Sequence, residues 1–170
     1  VLAYTATYTM QNTDEDGAIT FTLNAADMVG NAATQATAVT SGSGVTFDKT
    51  VPAWTATYPK AGTVNSSSIQ SLVKAGEGGK AYYVAWTGAP AAAPSAAQVR
   101  AGQNSDGNAA AKSANFTVTA NVEGNAVISG LTASTSYNIY CIIEDSAGNQ
   151  SSVGTFAQTT AAPAPPRTIT

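Results

Sequence analysis

One five-residue phrase, met twice, constrains this chain more than anything else in it. Asp27-Met28-Val29-Gly30-Asn31 and Asp145-Ser146-Ala147-Gly148-Asn149 lie 118 residues apart. Each follows a run of alternating apolar residues and precedes another strand-like stretch. The phrase makes a compact hairpin turn, because Gly and Asn tolerate positive φ and Asp bonds its own backbone. Two such turns predict two related β modules, and a scaffold in place of a catalyst.

Composition narrows the class. The 170 residues suffice for one large domain or two smaller ones. Charged residues are only 10% of the chain, against roughly 25% in soluble domains. Ala, Ser and Thr fill about two-fifths of it, so the surface is neutral and hydroxyl-rich, and little charge repulsion opposes packing copies together. The seven Lys and Arg are scattered from Lys49 to Arg167, which denies nucleic acid an electrostatic footprint. No apolar run approaches the roughly 18–20 residues that span a bilayer as a helix, so no membrane insertion is expected. Nothing at Val1 reads as a signal peptide; its removal, or a longer parent product, accounts for that.

Period-2 alternation sets out the strands. Residues 1–50 predict three of them. Leu2, Tyr4, Ala6, Tyr8 and Met10 alternate with polar or small residues, then Asp14-Glu15-Asp16-Gly17 turns the chain. Ile19, Phe21, Leu23 and Ala25 carry a second strand, and residues 33–40 with Gly44–Phe47 a third, bent one. Asp48-Lys49-Thr50-Val51-Pro52 reads as a joint, Pro52 holding Val51 extended. In residues 53–160, Ile69, Leu72 and Val73 mark a strand before the Gly76–Gly79 turn, and Tyr82, Val84 and Trp86 an inward row on the next. Ala89–Pro94 is a loop, and Ala96–Arg100 reads as a strand or a short helical turn. Asn115–Ala120 and Asn125–Ile128 read as a hairpin, Tyr137–Ile143 as the strongest strand, and Val153–Thr159 holds the last. Residues 161–170 are a Pro-rich tail or linker.

Few residues invite chemistry. Cys141 has no second cysteine to pair with, and with no histidine it forms neither a Cys–His nucleophile nor a His-containing zinc site. In phase with Tyr137, Ile139 and Ile143, it is expected to be a buried thiol. Asp14, Asp16 and Asp27, with Glu15, are candidate calcium ligands, but their spacing is not that of an EF-hand loop and solvated turns explain them; Glu144 and Asp145 read the same way. Asn65, Asn115 and Asn149 each begin an Asn-x-Ser/Thr sequon and are candidate N-glycosylation sites. Thr5, Thr7, Thr9, Thr168 and Thr170 are O-glycan candidates. Trp54, Tyr58, Tyr82, Tyr83, Trp86 and Tyr140 would suit a sugar-binding surface, though core packing explains them more simply. Tyr140 and Ile142 point away from the face of Tyr137, Ile139, Cys141 and Ile143, and a neighbouring subunit is the expected cover. No paired acid and base, phosphate loop or cofactor motif is present, so neither enzyme activity nor a cofactor is expected.

Two resemblances follow. Residues 53–160 resemble a fibronectin type III-like module: Leu131, Thr135 and Tyr137 match its tyrosine corner, and Glu144 to Asn149 the turn between its last two strands. Residues 1–52 resemble the C-terminal half of a bacterial immunoglobulin-like repeat, through Asp14–Gly17, Ala25 to Asn31, and Val45 to Pro52. The resemblances imply tandem all-β sandwiches of the kind found in bacterial surface and fibre proteins, the first incomplete within this chain. Such a repeat has three or four further strands before the position of Val1.

Incompleteness carries a thermodynamic cost. Ordering about 50 residues costs on the order of 50–100 kcal/mol of backbone entropy, and a one-sided, three-stranded sheet buries too little to offset it. Three completions are open: residues preceding Val1, strands from another subunit by β-augmentation, or packing against the second module. The leading expectation is a structural subunit of an extracellular fibre or cell-surface appendage, a homopolymer with copies of itself as partners. Leu2, Tyr4, Tyr8, Phe21 and Leu23 are expected at the subunit contact, with Tyr140 and Ile142 next; covalent glycans are further expected partners. The alternatives are a spacer or binding module of a large adhesin or secreted glycan-active protein, and a carbohydrate-binding accessory domain.

Overall fold

Antiparallel pairing accounts for nearly all the regular structure, and the expected all-β class is borne out. A computed structural model of the chain describes residues 5–88 and 92–165. The chain divides into two units, Val1–Thr50 and Val51–Thr170.

In the first unit the ladders are short. Strand β1 (Gly17–Ala18) pairs with β2 (Thr46–Phe47). Beyond it the hairpin around Asp27 closes through isolated pairs, Leu23 with Ala36 and Ala26 with Ala32. The three continuous strands expected here are therefore reduced to fragments, and residues 5–10 form no strand. Leu2 and Tyr4 lie outside the described residues. Lys49 ties the segment together: its N–H donates to Asp16 Oδ1 at 2.9 Å and its Nζ to the carbonyl of Asn12 at 2.9 Å and to that of Asp14.

The second unit is a two-sheet sandwich. Its strands are β3 (Lys60–Val64), β4 (Ser68–Val73), β5 (Gly79–Thr87), β6 (Lys112–Val118), β7 (Gly124–Ser129), β8 (Ser136–Glu144) and β9 (Gly154–Thr159), with one helix, α1 (Ala96–Arg100), between β5 and β6. One sheet has the order β3-β4-β7 and the other β6-β5-β8-β9. Strand β3 goes unseen in the sequence because Lys60-Ala61-Gly62-Thr63-Val64 lacks a clear period. The residues read as a hairpin, 115–120 and 125–128, lie in different sheets: β6 pairs with β5, and β7 with β4. The link between them is pinned elsewhere, since Asn121, at φ 60°, donates its N–H to Ala75 O at 2.8 Å and its side-chain amide to Gly76 O at 3.3 Å.

Register decides which residues meet between the sheets. Directly opposed residues of an antiparallel pair share a face. Tyr137, Ile139, Cys141 and Ile143 do face inward, and they stand opposite Thr87, Ala85, Tyr83 and Ala81. Small Ala81 and Ala85 sit against bulky Ile143 and Ile139, an alternation that fills a thin core. The row Tyr82, Val84 and Trp86 therefore lies on the opposite face, correcting the inward assignment. Ile69, Ser71 and Val73 are the buried residues of β4, and Leu72 is turned out. Tyr137 makes the corner expected of it: its Oη accepts the N–H of Thr132 at 2.9 Å beside buried Leu131.

Candidate functional site

Both Asx turns fold alike, one in each unit. Asp27 Oδ1 accepts the N–H of Val29 (3.0 Å) and of Asn31 (2.9 Å), while Oδ2 accepts from Asn31 Nδ2 (2.7 Å). Asp145 does the same with Ala147, Asn149 and Asn149 Nδ2 at 2.8, 2.9 and 2.9 Å. Gly30 and Gly148 take φ of 91° and 94°, which explains why glycine stands there. A third copy escaped the sequence reading because it opens with Asn: in Asn104-Ser105-Asp106-Gly107-Asn108, Asn104 Oδ1 accepts from the N–H groups of Asp106 (3.0 Å) and Asn108 (2.9 Å). An amide serving where a carboxylate serves elsewhere shows what the position does. It supplies a backbone acceptor, and negative charge is dispensable.

The calcium candidates are spent in the same way. Asp27 is committed to its turn, and the donors from Asn31 hold its carboxyl below the ordinary range. Asp16 accepts from the Thr50 hydroxyl and the Lys49 N–H, which lower its pKa in that order. Asp14 accepts from Tyr8 Oη at 3.1 Å and the Gln11 N–H at 2.7 Å. Among the described residues, no three His, Cys, Asp or Glu side chains converge as metal ligands.

Tyr140 and Ile142 are covered by their own chain. The excursion between β5 and β6 folds back over the outer face of the second sheet and seats Val99 of α1 against Val84, Tyr140 and Ile142, all buried. Trp86 stacks on Tyr140 with ring centroids 5.0 Å apart and planes 10° from parallel. Ser95 and Gln98 form a capping box that starts the helix: Ser95 Oγ accepts the Gln98 N–H at 3.3 Å, and Gln98 Oε1 accepts the Ser95 N–H at 2.8 Å. That Ser-x-x-Gln signal favours helix over strand at 96–100. Arg100, in the last turn, pairs with Glu144 at 2.5 Å and straps α1 to β8. The expected subunit contact at Tyr140 and Ile142 is thus corrected: Ile142 has no exposed surface and Tyr140 keeps only 8% of its own. Trp54 and Tyr83 likewise pack on the core between the sheets.

The first unit differs. None of residues 5–50 is buried. Tyr8 is 68% exposed, Phe21 42% and Leu23 60%, and Ile19, Val39 and Val45 are exposed with them. Ile19 and Phe21 stand between two open depressions of about 410 and 270 Å³, one reaching Tyr8 and Met10, the other Val39 and Val45. Sequence alternation singled out Tyr8 and Phe21 of this surface, and Leu23, which is exposed but lines neither depression; Val39 and Val45, in weakly patterned stretches, join it only through the fold.

The three sequons sit in unlike places. Asn65 is exposed at the turn joining β3 to β4. Asn115 is exposed within β6, paired opposite Tyr82. Asn149 is half-buried in the Asx turn. Among O-glycan candidates Thr5, Thr7 and Thr9 are exposed, while Thr168 and Thr170 lie outside the described residues.

No helix among the described residues is long and apolar enough to cross a membrane. Comparison with protein-family models and with curated proteins returns no match.

Proposed function

We propose that this chain is a structural subunit of an extracellular fibre or surface appendage, whose first unit is an immunoglobulin-like half-sandwich completed by a neighbouring copy. The carrying observation is that residues 5–50 are turned, tied and strand-patterned, yet bury none of their side chains. Leaving Tyr8, Ile19, Phe21 and Leu23 exposed is costly in water and gains from a second apolar layer. A chain with 10% charged residues meets little repulsion when its copies stack. The second unit is read as a fibronectin III-like spacer. Its three-plus-four strand sheets and the Tyr137 corner support that reading, as does the self-contained core that lets it carry a repeat without sharing strands.

Electron microscopy and sedimentation of the purified chain, beside a Phe21→Ser/Leu23→Ser variant, test the proposal. Regular polymers from the parent chain, lost in the variant while the β circular-dichroism signal persists, are expected. A parent chain that remains monomeric at high concentration refutes it and leaves a spacer of a longer multidomain protein as the better description.

A further inference from the structure

We infer that Asn65 is the N-glycan acceptor of this chain and that the other two sequons are closed to the reaction in the folded protein. The inference rests on the extracellular reading, since glycan transfer occurs on exported chains. In the reaction the amide nitrogen of the acceptor Asn bonds to C1 of an oligosaccharide carried on a polyprenyl phosphate or diphosphate. The C1–O bond breaks, the lipid phosphate leaves with the electron pair, and one amide proton passes to a base. The acceptor must therefore present a free carboxamide, on a backbone that can bend to bring the hydroxyl two residues on towards it.

Asn65 meets these needs. Asn65-Ser66-Ser67 forms the turn between β3 and β4, with the Asn65 N–H bonded to Ser68 O at 2.8 Å. The side chain is exposed, and its amide makes a long 3.2 Å bond to Ser68 Oγ, a partner that water replaces easily. Two bonds from outside the turn hold it in place: Ala161 N–H to Asn65 O at 3.1 Å, and Leu131 N–H to Ser67 O at 3.0 Å. A glycan here would project from the end of the sandwich without displacing a packed side chain.

Asn115 and Asn149 fail for different reasons. Asn115 to Thr117 lies inside β6, in register with Tyr82 to Lys80 of β5. An extended strand holds residues two apart at ~6.6 Å and keeps the threonine hydroxyl from bending back. At Asn149 the reacting nitrogen is already donated to Asp145 Oδ2 at 2.9 Å, and its backbone N–H to Asp145 Oδ1 at 2.9 Å. Transfer there requires that nitrogen to leave Asp145 in the turn that leads into β9.

The purified, folded full chain is incubated with a solubilised oligosaccharyltransferase that accepts Asn-x-Ser/Thr and with an oligosaccharyl-diphosphate lipid. Glycosidase release in heavy-oxygen water then marks each occupied Asn by mass. Label at Asn65 is expected, with a mobility shift abolished by Asn65→Gln and by Ser67→Ala, and retained by Asn115→Gln and Asn149→Gln. An unlabelled Asn65 in the folded protein, while the same enzyme labels the denatured chain, or label concentrated at Asn115 or Asn149 of the folded protein, overturns the inference. Polymers that form from chains whose Asn65 stays bare after that reaction sink this inference alone. A glycosylated chain that stays monomeric sinks only the fibre proposal.

Discussion

Truncating Val99 to alanine tests whether α1 is a plug or an ornament. Val99 is 1% exposed and is the residue of α1 that closes on Val84, Tyr140 and Ile142. Two methyl groups are lost, and at ~0.8 kcal/mol per buried carbon this removes about 1.6 kcal/mol of transfer energy. Incomplete collapse of the site adds on the order of 1 kcal/mol, so destabilisation of about 2–3 kcal/mol is expected if the excursion stays docked. A five-residue helix has little stability of its own; if the excursion lifts off locally, the loss is capped by its docking energy. Urea denaturation with native-state hydrogen exchange separates the two outcomes. In either, the amides of Val99, Ala101, Gly102 and Gln103, bonded within this excursion, exchange faster than in the parent. A Val99→Ala chain within about 0.5 kcal/mol of the parent and with unchanged protection at those amides would refute the assignment of Val99 as the cover of Tyr140.

Two further outcomes are expected. Tyr137→Phe removes the acceptor for the Thr132 N–H at 2.9 Å and should destabilise the second unit by about 1–2 kcal/mol in urea titration, without altering its far-ultraviolet spectrum; an unchanged midpoint would show that the corner bond is idle. Burial pushes the Cys141 thiol up to about 12, so it should resist alkylation at pH 8 until the chain is unfolded. Because the folded pKa lies above the ordinary 9.0, this group's contribution to stability is full below pH 9 and is lost as pH climbs from there through about 12. Rapid native-state labelling, or stability rising over that alkaline window in comparison with Cys141→Ala, would contradict the burial argument.

Much of this was legible from residues alone. Strand β8 announces itself because Tyr137, Ile139, Cys141 and Ile143 alternate with residues of the other face, and its inward row was readable. The turns at Asp27 and Asp145 were readable because their hydrogen bonds are local, made within five residues. Strand β5 was not. Ala81, Tyr83 and Ala85 are as apolar as Tyr82, Val84 and Trp86, so a period of two cannot choose between the rows. The choice came from β8, nearly 60 residues away in sequence, through antiparallel register. The helical turn at Ala96–Arg100 was among the readings, but its packing on Tyr140 was missed for a similar reason: the Ser95–Gln98 box marks where a helix starts, but not what it packs on.

For the first unit, local sequence determined the turn at Asp27 and the apolar alternation around Phe21, because turns and alternation are short-range properties, whereas the tie from Lys49 to Asp16, 33 residues away, came only with the fold. Tertiary structure decided that this face finds no cover among residues 5–50, while the equally apolar outer face of β5 and β8 finds one in Val99. The physical reason is common to both. A pattern of side chains says which surfaces must leave water, but only the path of the chain through space determines whether another part of the same molecule arrives to meet them.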